Sequence, residues 1–414
     1  MNIELPEDVR SILSKLEREG YDAYVVGGCV RDTLLGKEPE DWDITTSAKP
    51  EEIKKAFVKT VDTGIKHGTV TVIINGNGYE VTTYRIDGEY KDGRHPEEVR
   101  FTRSLRDDLN RRDFTINAIA YNDSNGLKDL FYGRSDLHNR IIRAVGNPEY
   151  RFKEDALRMM RAIRFSAQLG FNIDIETYHA IIRCSHLIKQ VSVERIQTEL
   201  TKTLMSVNPE AVKEYQLTGL FIEILPEINK ILASRESQKV CALLKKVPNT
   251  IAMKYAALLS PLEADAARSV LKGLRLDNNT VNTVTQIIYH SKNNGQIDEN
   301  DIAVREAIYK LGPRLMENLF VFEAAQIQMK EDVTGLTMRG ARNHLKTIMR
   351  IYEEVLSRGD CVTIRDLDVT GSDLLKLGLS GKQVGETLEW LIHIVLENPK
   401  LNDKSTLLAM VGNI

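Results

Sequence analysis

Extended, β-branched runs are confined to the opening part of this 414-residue chain, and that asymmetry limits the folds open to it. Tyr24-Val25-Val26, Trp42-Asp43-Ile44-Thr45, Thr69 to Ile74 and Tyr79 to Arg85 have the residue types of strands. The last two flank Asn75-Gly76-Asn77-Gly78, the composition of a hairpin turn. From about residue 150 helical spacing takes over: Ile196, Leu200 and Leu204 recur every four positions within 193–204. Pro209, Pro226, Pro248 and Pro261 punctuate this second part, and Asn278-Asn279 and Asn293-Asn294-Gly295 read as loops. The chain therefore reads as α+β: a head with a mixed sheet and helices over 1–145, then an all-α remainder.

Charge and cysteine content narrow the function. With 56 Lys and Arg against 59 Asp and Glu, the net charge of −3 excludes a protein that coats nucleic acid with a global positive field. It leaves room for a local basic site. Aromatics at 6% do not supply a broad base-stacking platform. Cys29, Cys184, Cys241 and Cys361 are scattered without a CxxC pair, which suits a reducing compartment. The first residues lack the pattern of a signal peptide, and no apolar run is long enough to span a membrane. A cytoplasmic protein is expected.

Three constellations in the head carry chemistry. Val25-Val26-Gly27-Gly28-Cys29-Val30-Arg31-Asp32 runs a buried strand through two glycines into a helix. Glycines admit an anion close to the backbone, and Arg31 adds a forked cation; taken alone, this is also an ordinary strand-to-helix turn. Asp41-Trp42-Asp43-Ile44, read as a strand, places both carboxylates on one face with Trp42 and Ile44 in the core. Paired carboxylates repel unless a cation sits between them, and hard oxygen ligands suit Mg²⁺. Glu80, on a neighbouring strand, can stand near an attacking hydroxyl or be an exposed hairpin charge. On helical spacing Asp155 shares a broad face with Arg158, Arg161 and Arg164, which otherwise reads as surface salt bridging.

With Arg111-Arg112-Asp113-Phe114-Thr115-Ile116-Asn117-Ala118 and Glu154-Asp155-Ala156-Leu157-Arg158, these segments form an ordered series. The series resembles the bacterial class II tRNA nucleotidyltransferases (CCA-adding enzymes) of the polymerase-β-like nucleotidyltransferase superfamily. The resemblance is strongest over residues 20–200 and thinner beyond. It implies a polymerase-β-like catalytic head over 1–145, a neck for base recognition over 146–208, a helical body over 209–320 and a tail over 321–414, the helical parts elongated. It implies that Asp41 and Asp43 bind catalytic Mg²⁺. It also implies that Gly28, Arg31 and Arg112 hold the nucleotide, and that Asp155 and Arg158 read the base of CTP or ATP. Arg161 and Arg164 fall to ribose, phosphate or support of that template.

The implied partners are tRNA, at its 3′ end and elbow, with CTP and ATP as substrates and no membrane; the oligomeric state stays open. Gly371-Ser372-Asp373 through Leu388 resembles the tail that cradles the elbow, and without the family it reads as a capped helical hairpin. Asp87 to Pro96 resembles the family's flexible loop, which leans toward addition of the terminal A; His95 reads as a loop-packing histidine. The alternatives are an A-adding enzyme, then a CC-adding enzyme, a poly(A) polymerase or a non-catalytic RNA-binding relative. Residues 134–164 carry eight Lys and Arg against four acids, from which a concentrated basic cleft is expected.

Overall fold

In the computed structural model of the chain, which describes residues 3–87, 99–293 and 297–412, Asn75 and Gly76 both take positive φ, 51° and 87°. Two such residues in succession make the tight turn whose twist matches paired strands. The turn joins β4 (Thr69–Ile74) to β5 (Asn77–Thr83), paired in register from Thr69↔Thr82 to Ile74↔Asn77. Around this hairpin lie β1 (Ala23–Val26), β2 (Ile44–Thr46), β3 (Thr60–Gly64), β6 (Arg85–Asp87), β7 (Val99–Phe101), β8 (Ile119–Asn122) and β9 (Gly126–Asp129).

Seven strands form one sheet in the order β3-β4-β5-β2-β1-β8-β9, and β6 pairs with β7 separately. Within the large sheet β2–β5 is the parallel pair and the other neighbours are antiparallel, so the sheet is mixed. β1 is buried along its whole length, as its Ala-Tyr-Val-Val composition requires of a strand flanked on both sides.

Helices α1 (Glu7–Arg18), α2 (Gly28–Leu34), α3 (Pro50–Ala56), α4 (Leu105–Asn110) and α5 (Gly133–Asn139) belong to the sheet-bearing part. α1 buries Val9, Ile12, Leu13 and Leu16, a stripe at three- and four-residue spacing. α6 (Pro148–Glu154), α7 (Leu157–Leu169), α8 (Ile175–Cys184) and α9 (Val193–Leu204) follow. Ile196, Leu200 and Leu204 are buried on α9, as their spacing predicts. A short parallel pair, β10 (Ile141–Ile142) with β11 (Asn172–Ile173), is an extended element that the helical texture hides.

Contacts divide the chain into two units, Met1–Ser234 and Arg235–Ile414. The second is helical. One of its cores gathers Val304, Ile308, Met316, Leu345, Ile348 and Ile351; another gathers Leu374, Leu391, Ile392 and Val395. Asn278-Asn279 is not a loop but the opening of the helix Asn278–Asn293, because the Asp277 carboxylate accepts the Thr280 backbone N–H and caps it. Thr370 and Asp373 form a capping box at Gly371–Lys376, and Lys404 Nζ donates to Asp373 at 2.8 Å, the capped turn expected there. Among the described residues no helix is long and apolar enough to cross a membrane.

Gly133 opens α5 where a side chain has no room. A Cβ there would lie 2.2 Å from the Thr115 carbonyl oxygen and 2.8 Å from Ile119 Cγ1. Gly133→Ala is expected to destabilise the first unit by about 2 kcal/mol, read as a lower midpoint in chemical unfolding.

Candidate active site

Gly27 ends β1 with φ 85° and ψ −128°, a conformation that side-chain-bearing residues avoid. A Cβ at Gly27 would also lie 3.1 Å from Arg112 Nη1, so the turn admits a guanidinium as well as a backbone reversal. Beyond it, α2 presents Arg31, whose Nε and Nη2 donate to Asp32 at 2.8 and 2.7 Å and whose Nη1 donates to Asn117 Oδ1 at 2.8 Å. Two of its five N–H groups remain for a ligand. Cys29, buried on α2, has its thiol pushed up to about 11 by burial, away from the thiolate form.

Asp41 and Asp43 lie in the lead-in to β2 rather than in the strand itself. Trp42 is half-buried and Ile44 buried, so of the two only Ile44 is fully in the core. The Asp43 carbonyl accepts the Val26 N–H at 3.0 Å, which docks this lead-in on the end of β1 beside the Gly27 turn. The parallel register Ile44↔Val81, continued one residue back, sets Asp43 beside Glu80.

Although Asp43 faces solvent in part, displaced water and the charges of Asp41 and Glu80 raise its carboxyl above the ordinary range, against the pull of Arg112. Asp41, Asp43, Glu80 and Arg112 are therefore electrostatic neighbours. Among the described residues no three His, Cys, Asp or Glu side chains are spaced to hold a metal ion by themselves. Two repelling oxygen donors fit a hard divalent cation whose remaining positions go to water and phosphate.

Arg112 is held but not satisfied. Asp108, fully buried on α4, accepts Arg111 Nε and Nη2 at 3.0 and 2.6 Å and Arg112 Nη2 at 3.5 Å, with the Thr45 hydroxyl on its other side at 3.1 Å. Burial pushes the Asp108 carboxyl up, but the two guanidiniums outweigh it and hold it low. The buried Nε of Arg112 has no hydrogen-bond partner among the described residues. An orphaned donor beside a carboxylate pair marks a place for an anionic ligand.

The Glu154–Arg164 stretch is not one helix. α6 ends at Glu154, Asp155 is extended at φ −145°, and α7 begins at Leu157, where the Asp155 carboxylate accepts the backbone N–H at 3.1 Å. Asp155 therefore caps a helix start instead of sharing a helical face with Arg158. Its carboxylate is gripped by a residue the sequence reading passed over: Arg195 on α9 donates from Nη1 and Nη2 at 3.2 and 2.7 Å. Arg158, almost buried, donates to Glu154 at 2.7 Å and to the Arg111 carbonyl at 2.9 Å.

Arg161 reaches across to Asp113, with Nε and Nη2 at 2.8 and 2.5 Å, while Arg164 pairs with buried Glu199 of α9 and with Gln168. Burial would raise Asp113, yet Arg161 and the Asn117 amide hold it at about 2. The Phe165 ring lies among three cations, with the Arg31, Arg161 and Arg164 guanidinium carbons 5.2, 5.3 and 3.9 Å from its centroid.

These pairings reduce the expected basic cleft. Arg143 is engaged by Asp136 and Asp174, Arg151 and Arg158 by Glu154, Arg161 by Asp113 and Arg164 by Glu199. Asp113, Asp174 and Glu199 lie outside the counted window, so five of its eight basic residues are engaged by acids, while Arg134, Arg140 and Lys153 stay exposed. A distant acid leaves no local trace; the one available cue was Glu199 on the buried face of α9. The loop read over Asp87 to Pro96, with Arg94 and His95, falls outside the described residues apart from the Asp87 backbone.

Comparison with known proteins identifies the family of the chain. The family model for the poly A polymerase head domain matches residues 23–143. A model described as a probable RNA and SrmB binding site of polymerase A matches 170–232, and one for tRNA nucleotidyltransferase domain 2 matches 247–411. The CCA-adding enzyme of Levilactobacillus brevis is 37% identical over 98% of both chains, and that of Pediococcus pentosaceus 37% over 99% and 98%. With the CCA-adding enzyme of Ligilactobacillus salivarius the identity is 52%, over 53% of this chain and 56% of the relative. The Bacillus stearothermophilus CCA-adding enzyme in complex with CTP superposes with a TM-score of 0.76 at 34% identity, covering 98% and 96% of the chains. The Thermotoga maritima CCA-adding enzyme complexed with tRNA shares the fold at a TM-score of 0.65 and 19% identity, over 100% of this chain and 97% of that one.

Glu199 neutralises the buried guanidinium of Arg164. Glu199→Ala is expected to cost about 3 kcal/mol of stability in chemical unfolding, because it strands charge in the interior, and Glu199→Gln less.

Proposed function

The chain belongs to the CCA-adding enzymes, and we propose that it rebuilds the CCA end of tRNA from CTP and ATP, without a nucleic-acid template, at the site around Gly27, Asp41 and Asp43. The observation that carries this reading is the gathering of Asp41, Asp43 and Glu80 with Arg112 at the Gly27 turn. Asp41 and Asp43 hold a divalent cation, Mg²⁺ in this proposal, which when bound neutralises charge on the phosphates.

The unpartnered Nε of Arg112 and the spare donors of Arg31 take triphosphate oxygens, and Gly28 lets them come close. The 3′ oxygen of the tRNA bonds to the α-phosphorus in line. The bond to the leaving oxygen breaks, and its electron pair departs with pyrophosphate. Glu80 accepts the proton lost by the hydroxyl.

Base choice rests on Asp155 and Arg158. A carboxylate accepts from the exocyclic amine that cytosine and adenine share, and a guanidinium donates to ring nitrogen or carbonyl. Uracil and guanine set a carbonyl oxygen against the carboxylate, which repels it instead of donating to it, and this discriminates strongly. Arg195 orients Asp155 from behind, and Arg161 and Arg164, spent on Asp113 and Glu199, support the template. The proposed parts are the catalytic head over 1–145, the base-reading neck over 146–208, the body over 209–320 and the tail over 321–414. The capped Thr370–Asp373 turn of the tail is the proposed contact with the tRNA elbow.

Incubation with tRNAs ending at the discriminator base, C or CC, with CTP and ATP singly and together, tests the activity. Completion of all three ends is expected; extension of only the CC end by ATP would make this an A-adding enzyme. Asp41→Ala or Asp43→Ala is expected to lower incorporation roughly a thousandfold or more while tRNA still binds in a filter assay. Retained turnover would overturn the metal assignment.

A further inference from the structure

Asn117 lies between the two arms of this site. It closes the turn Thr115–Asn117 after buried Phe114 and is itself only 6% exposed. Its amide meets opposite charges at its two ends. Oδ1 accepts from Arg31 Nη1 at 2.8 Å, and Nδ2 donates to Asp113 Oδ1 at 3.2 Å. Reversing the amide would aim its NH₂ at the guanidinium and its oxygen at the carboxylate, so the two partners set its orientation.

Each partner leads outward. Arg31 is forked on Asp32, its neighbour on α2, and the second oxygen of Asp113 receives Arg161 of α7. The result is an unbroken run of charge-assisted hydrogen bonds from the glycine turn to the helix that Asp155 caps.

We infer that Asn117 is a positioning residue of the nucleotide site, tying the phosphate-holding Arg31 through Asp113 and Arg161 to the helix that carries Arg158, so that triphosphate and base are gripped in one register. The inference rests on the roles proposed above for Arg31, Asp155 and Arg158. The position demands a side chain that accepts at one end and donates at the other. A carboxylate there would face Asp113, and a leucine would strip a partner from two buried charges.

The test uses the full chain and three readouts: KM and kcat for CTP on tRNA ending at the discriminator base, inhibition by inorganic tripolyphosphate, and misincorporation of UTP. Asn117→Leu is expected to raise KM for CTP about tenfold, to weaken tripolyphosphate inhibition and to increase UTP misincorporation, although it leaves Asp155 and Arg158 in place. Asn117→Asp, which keeps the shape but sets a second carboxylate against Asp113, is expected to do the same. A merely structural role would lower the melting temperature and the active fraction, hence kcat, with KM and base choice unmoved. Unmoved KM and base choice in both variants would overturn the inference. Arg31→Lys and Asp155→Ala run in parallel. If tripolyphosphate inhibition ignores the first and base choice ignores the second, the site assignment itself fails; if both respond and Asn117 does not, only the coupling fails.

Discussion

One buried carboxylate, Asp113, ties the sheet of the first unit to helix α7. Its carbonyl accepts the Val145 N–H, one side-chain oxygen accepts Phe114 N–H and the Asn117 amide, and the other receives both donors of Arg161. Burial opposes its charge and the Arg161 guanidinium overrules burial, so the group is ionised across any physiological pH. A buried pair of this kind adds little net stability compared with apolar packing, but removing one partner costs about 3–5 kcal/mol. The pair thus acts as a constraint on geometry more than as a source of stability.

The same electrostatics separates structural carboxylates from functional ones. Asp108 and Asp113 are pulled down by arginines that are already in place. Asp43 is pushed up, by lost hydration first and then by the charges of Asp41 and Glu80, which the one opposing cation does not offset. Charge left uncompensated at a folded surface marks where a ligand belongs, and the unpartnered Nε of Arg112 is the matching deficit of opposite sign. Balanced ions hold this unit together; the unbalanced ones lie where the metal and the nucleotide are proposed to bind.

Much of this was legible in the residues alone. The Asn75-Gly76 turn, the runs of β4 and β5, the buried β1 and the stripe on α9 follow from local preference and periodicity, which act over a few residues. The edge strand β3 and the hairpin of β8 and β9 gave no such signal, being short and mixed in composition. At Asp155, spacing misled: an uninterrupted helical pattern hid a break that the aspartate itself caps. The excess of arginine over 134–164 misled differently, since a count along the chain cannot see acids folded in from Asp113, Asp174 and Glu199.

The sequence by itself determined the α+β division, the Gly27-Gly28 turn, the Asp41 and Asp43 pair and the order of the charged segments, because each is set by residue type and short spacing. Only the tertiary structure decided which of those charges are spent. That Arg195 holds Asp155, that Glu199 absorbs Arg164, and that Asn117 stands between Arg31 and Asp113 depend on groups 35 to 86 residues apart in the chain. Asn117 reaches Asp113 within one turn, but Arg31 reaches Asn117 only once the sheet has formed. Electrostatic partnership is a matter of distance in space, and the chain must fold before that distance exists.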